Sequence, residues 1–155
     1  MRLPYSLLGD LYWVMHVSFA LFADAANLSQ EGKLNILGVF DAVQVATLPA
    51  VHPRAHLVVR LKGNRTDIGM HTMTLQWINP SGTELWNSGG EIDITTPPTT
   101  VTEMDFPLIA PVDLPLDSSG GYTMRISLDN EPRADVKLQV RVGAQSMMPA
   151  NGMVS

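Results

Sequence analysis

Hydrophobic and polar residues alternate one for one through much of the chain. HLVVRLK (56–62) sets Leu57, Val59 and Leu61 on one side and His56, Arg60 and Lys62 on the other. HTMTLQW (71–77) sets Met73, Leu75 and Trp77 against Thr72, Thr74 and Gln76. YTMRISL (122–128) sets Tyr122, Met124, Ile126 and Leu128 against Thr123, Arg125 and Ser127. VKLQVRV (136–142) sets Val136, Leu138, Val140 and Val142 against Lys137, Gln139 and Arg141. Side chains of an extended chain point alternately to the two faces of a sheet, so this period predicts half-buried strands. Shorter candidates are VSFALF (17–22), KLNILGVF (33–40), AVQVAT (42–47), EIDIT (91–95) and VTEMDFPLI (101–109). Residues 24–31 suggest one short helical turn.

Turn residues divide these runs. Asn79-Pro80-Ser81-Gly82, Ser88-Gly89-Gly90, Ser118-Ser119-Gly120-Gly121 and Asp129-Asn130-Glu131-Pro132 all read as hairpin connections. About eight or nine short strands at this spacing, with no amphipathic helix among them, predict an all-β fold: a single antiparallel β-sandwich. We place the sandwich domain at residues 15–143, between an N-terminal extension (1–14) and a C-terminal tail (144–155). Gly38 falls where a strand interior wants a side chain, which predicts a bulge or a close backbone approach.

Composition narrows the function classes. The chain has 155 residues, 45% of them hydrophobic and 16% charged, which suits one folded domain. The net charge is −5 and the ten Lys and Arg are scattered, so no concentrated positive field for nucleic acid is expected. The chain has no Cys, which removes disulfides, thiolate nucleophiles and Cys-based metal sites. The run from Leu11 to Ala23 is shorter than the ~20 residues of a membrane span, so no membrane is expected. Ala23-Asp24-Ala25 resembles a signal-peptidase site, but the single charge of Arg2 and the interruptions at Pro4, Gly9 and Asp10 weaken that reading. We therefore favour Met15 as the native start and cytoplasmic synthesis over secretion.

ALFADAANLSQEGKLNILGVFDAV followed by LPAVHPRAHLVVRL resembles an uncharacterised bacterial domain of unknown function. The resemblance covers residues 17–61 specifically and reaches Val142 only as a pattern. It implies a small β-sandwich and no activity.

The candidate chemistry is sparse. His52 and His56 are four apart, but in a strand that spacing spans roughly 13 Å, too far for one zinc ion. His56 and His71 are a weaker metal pair, facing each other if their strands are neighbours. Asp24 and Asp41 form a candidate acid–base pair, though an Asp beside a strand more often caps a turn. Asp105, Asp113 and Asp117 are a faint calcium candidate. Ser88 and Ser118 lack the elbow of a serine nucleophile. Trp77 and Tyr122 share parity with core residues, leaving Trp86 and Trp13 as a thin platform for a sugar.

The expected function is therefore a non-catalytic structural or interaction module, with no cofactor and no metal. Its partner is expected to be another protein, or a second copy, reached through the terminal arms. Leu7, Leu8, Leu11, Tyr12, Trp13, Met147 and Met148 are the arm residues singled out, with Trp86 on the domain. A subunit of a larger assembly, such as a phage virion decoration protein, is one concrete form. A small-ligand or carbohydrate-binding sandwich is the alternative.

Overall fold

A computed structural model describes residues 15–95 and 103–143. The four strand runs with the clearest alternation all appear as strands. Among the described residues there are nine: β1 (His16–Leu28), β2 (Leu34–Phe40), β3 (Ala42–Val45), β4 (Ala50–Asn64), β5 (Gly69–Ile78), β6 (Glu84–Ile94), β7 (Glu103–Leu116), β8 (Gly120–Leu128) and β9 (Glu131–Val142). One 3-10 turn, Arg65–Asp67, joins β4 to β5.

The strands form two stacked sheets, one of four strands in the order β2-β1-β4-β7 and one of five in the order β3-β9-β8-β5-β6. Every pairing is antiparallel except β3 with β9. This is the expected sandwich. Its core holds the inward residues of both sheets, including Phe22, Leu57, Leu61, Trp77, Tyr122, Ile126 and Leu138, all fully buried. Burial of this apolar area is the main term favouring the fold, at about 25 cal/mol per Å².

Three local readings are corrected. Residues 24–31 form no helical turn: β1 continues to Leu28, because its backbone pairs with β2 as far as Leu28 opposite Leu34. Ser88-Gly89-Gly90 is no hairpin but the middle of β6, where Gly89 and Gly90 pair with Thr74 and Met73. Ser118 to Gly121 does turn the chain, but it carries it from the four-stranded sheet to the five-stranded one. The turns at Asn79–Gly82 and Asp129–Asn130 are hairpins as expected. The second has both residues at positive φ, 49° and 68°, which Asp and Asn tolerate better than most side chains.

Two aromatic residues tie the turns at one end of the sandwich to its core. Trp77 and Tyr122 stack with ring centroids 5.1 Å apart. The Trp77 indole N–H donates to the Pro115 carbonyl at 2.9 Å. The Tyr122 hydroxyl accepts from the N–H groups of Asp117 and Ser118 at 2.8 and 2.9 Å. Asn79 lies at the next turn. Its carbonyl accepts from Ser81 and Thr83 backbone N–H, and its amide donates to Asp117 at 2.9 Å.

Candidate functional site

The β1–β2 hairpin does more than extend its sheet. Between Val17 and Phe19 the pairing of β1 with β4 slips by one residue. A one-residue slip turns each following side chain to the opposite face. Val17 packs on the core, while Phe19, opposite Arg60, points to the outer face of the four-stranded sheet. That face also carries Ala23 and Val58, both fully buried although neither belongs to the sandwich core.

A second feature marks the hairpin. Gly38 stands at φ 71°, opposite Asp24, and a β-carbon placed there would lie 2.9 Å from the Asp24 carboxyl carbon. Register is continuous through this point, so the expected alternatives resolve to a close approach rather than a bulge. Phe19 and the tip of the hairpin are nine or more residues apart, ~30 Å along a flat strand. Yet Gly32, Lys33, Leu34 and Ile36 line the same cavity as Phe19, Arg60, Asp105 and Pro107. The hairpin therefore curls back over the outer face of its own sheet and encloses a cleft of about 420 Å³.

The cleft is lined by both apolar and charged side chains. Phe19, Leu34, Ile36 and Pro107 supply the apolar lining. Arg60 donates to Asp105 at 2.6 Å and Lys62 reaches the same carboxylate at 3.1 Å. Burial pushes the Asp105 carboxyl up, but its bonds to Arg60 and Lys62 outweigh this and hold it below the usual carboxylate range. Lys33, from the hairpin tip, is the other cation that lines the cleft.

The other candidates are dispersed. His56 is in β4, in the four-stranded sheet, and His71 in β5, in the five-stranded sheet, so they are not cross-strand neighbours. The His56 Nδ1 is buried without a hydrogen-bond partner. His52 packs on Phe40 with ring centroids 5.1 Å apart. Asp24 faces Gly38, whereas Asp41 follows β2, with its carbonyl accepting from Gln139 at 2.8 Å. Asp105, Asp113 and Asp117 are each committed separately: to Arg60 and Lys62, to the Arg54 N–H at 2.8 Å, and to Asn79 and Tyr122. Among the described residues, no group of three His, Asp or Glu side chains is placed to hold a metal ion. Trp86 is half-buried against the core, opposite Trp77, which removes it as an open sugar platform. Leu7, Leu8, Leu11, Tyr12, Trp13, Met147 and Met148 lie outside the described residues.

Sequence reasoning missed His71 as an ion-pair partner. Its Nδ1 contacts the Asp129 carboxylate at 2.7 Å and its Nε2 the Asp67 carbonyl at 2.6 Å. Both partners accept only, so this geometry favours the doubly protonated ring. Burial pulls the His71 pKa down, but the Asp129 and Asp67 bonds outweigh it and raise it above the ordinary value.

A family model for a family of unknown function, DUF6941, matches residues 18–141. The chain belongs to that family. The match spans the sandwich from β1 into β9, so DUF6941 describes the whole two-sheet unit and not the hairpin alone. No curated protein matches the sequence. Among solved structures, an immunoglobulin-like protein from Pseudomonas aeruginosa is similar at 11% identity and a TM-score of 0.35, covering 82% of this chain and 96% of that one. An alkylpurine DNA glycosylase from Pseudomonas fluorescens, bound to DNA containing an abasic site analog, is similar at 6% identity and a TM-score of 0.39. That match covers 84% of this chain and 31% of the glycosylase. Among the described residues of this DUF6941 member, no helix is long and apolar enough to cross a membrane.

Proposed function

We propose that this DUF6941 domain is a non-catalytic interaction module, a subunit of a larger assembly that docks another protein chain along the free edge of β2. The observation that carries the reading is the edge itself. Among the described residues β2 is the outermost strand of its sheet, and it leaves Leu37 and Val39 at 69% and 60% exposure. Edge strands are usually guarded by Lys, Pro or inward charges. LNILGVF contains none of them. An apolar, uncharged edge favours strand addition, in which main-chain bonds give affinity and alternate side chains give specificity.

The non-catalytic part rests on where the polar groups are spent. His71, Asp105, Asp117 and Asp129, whose titration is displaced, each serve a turn or a sheet ion pair. A virion decoration protein is one form such a subunit takes, with residues 1–14 and 144–155 as additional arms.

Native mass in solution tests the reading. We expect the full chain to form a larger particle, alone or with its partner. Leu37→Lys with Val39→Lys raises the dissociation constant at least tenfold, since each buries an unpaired charge on the docked edge. A chain starting at Met15 separates the edge from the arms: if it alone abolishes assembly and the β2 variants do not, the arms and not β2 make the contact.

A further inference from the structure

We infer that the cleft under the β1–β2 hairpin binds a small amphipathic carboxylate, its hydrocarbon part on the apolar walls and its carboxylate between Lys33 and Arg60. This site is separate from protein docking at the β2 edge and does not depend on it. Its volume of about 420 Å³ falls within the ~300–1,000 Å³ of small-molecule sites.

The charge pattern selects the ligand. The chain as a whole is acidic, with a net charge of −5. Among the residues lining this cleft the balance is reversed, with Lys33 and Arg60 against the one carboxylate of Asp105. Asp105 is already shared between Arg60 and Lys62. The Lys33 ammonium is bonded to no described carboxylate, and one Arg60 nitrogen is engaged with Asp105, leaving further guanidinium N–H groups for a guest. That donor set suits one monoanionic head group. Phe19 and Ile36 stand beside it in the same cavity, so the guest is favoured for carrying an apolar tail as well as a charge.

The ligand is one that the curled hairpin itself encloses. Gly32, Lys33, Leu34 and Ile36 all come from the hairpin and its tip, while Phe19 and Arg60 come from the sheet below. Binding thus bridges the two layers and stabilises the curl.

The test is isothermal titration of the full chain with three probes: octanoate, octylamine and acetate. We expect octanoate to bind, acetate to bind at least tenfold more weakly, and octylamine not to bind. Lys33 is exposed, so Lys33→Met leaves the fold intact, as circular dichroism will verify. That change should weaken octanoate about tenfold, the scale of one charge-assisted hydrogen bond, and Lys33→Arg should restore it. Equal binding of octanoate and octylamine, no binding of octanoate, or full affinity in Lys33→Met each overturns the proposal. Because the probes are small, their failure leaves assembly through β2 standing, and the native-mass experiment addresses that separately.

Discussion

His71 offers a hydrogen to two acceptors at once, and only the imidazolium has two to give. Its folded pKa lies above the ordinary 6.5. The stabilisation is therefore present in full below 6.5 and is lost as pH rises through the raised folded value. Its partner works in the other direction. The His71 bond, then the Thr72 N–H, lowers the Asp129 pKa despite burial, so this contribution disappears as pH falls through the lowered value. Thermal unfolding followed between about pH 5 and pH 8.5 should show the midpoint falling toward the alkaline side. His71→Gln should flatten that decline and shrink the Asp129 share of the acid-side loss, leaving the shares of Asp105 and Asp117 in place. Gly38 gives a second prediction at this scale. Ala there meets the Asp24 carboxylate and must hold φ 71°, so Gly38→Ala should cost about 1–3 kcal/mol in denaturant unfolding. Adding Asp24→Ala should recover the steric part and leave the backbone part, which a double-mutant cycle separates.

Elements are held in register by the residues between them. Asn79 is 9% exposed, and through its side chain the β5–β6 turn is joined to Asp117 at the end of β7. Asn79→Ala leaves the Ser81 and Thr83 N–H groups short of an acceptor, so we expect a loss of about 1–3 kcal/mol, read from the denaturant midpoint. Tyr122→Phe removes the acceptor for two turn N–H groups and should cost a similar amount. How legible these elements are in the sequence depends on who decides their conformation. The strands at 56–62, 71–77, 122–128 and 136–142 are written in alternation, because one face meets the core and the other carries mostly polar residues. Gly89 and Gly90 mislead because their own propensity is for turns, whereas their pairing with β5 is set by strands elsewhere in the chain. The helical turn over 24–31 fails for the same reason: the ladder with β2 outweighs local preference. The cleft was half legible. Gly38 signals a close approach, but the slip at Ser18 that turns Phe19 outward has no local signature in VSFALF.

At the scale of the whole molecule, apolar residues are divided between two layers. The larger lies between the sheets; the smaller lies on the outer face of the four-stranded sheet, where Ala23 and Val58 are buried outside the main core. One hairpin supplies an exposed edge at Leu37 and Val39 and part of a half-open cleft at Leu34 and Ile36. Small ligand and large partner would then share an element, and an octanoate-saturated sample should show whether filling the cavity alters the native mass.

The parallel pairing of β3 with β9 sets the order of events in time. Ala42 sits beside Gln139, and Val45 beside Val142. Contacts so far apart in sequence are slow to form, because a long loop must close before they repay its entropy. During synthesis, β1 and β2 leave the ribosome early and can join as a hairpin, while β3 has to wait for almost the whole domain to be made. Throughout that interval the nascent chain presents the uncharged edge of β2 with no finished sandwich behind it. The stretch proposed as a docking edge is therefore also one exposed to misassociation while the chain is being born.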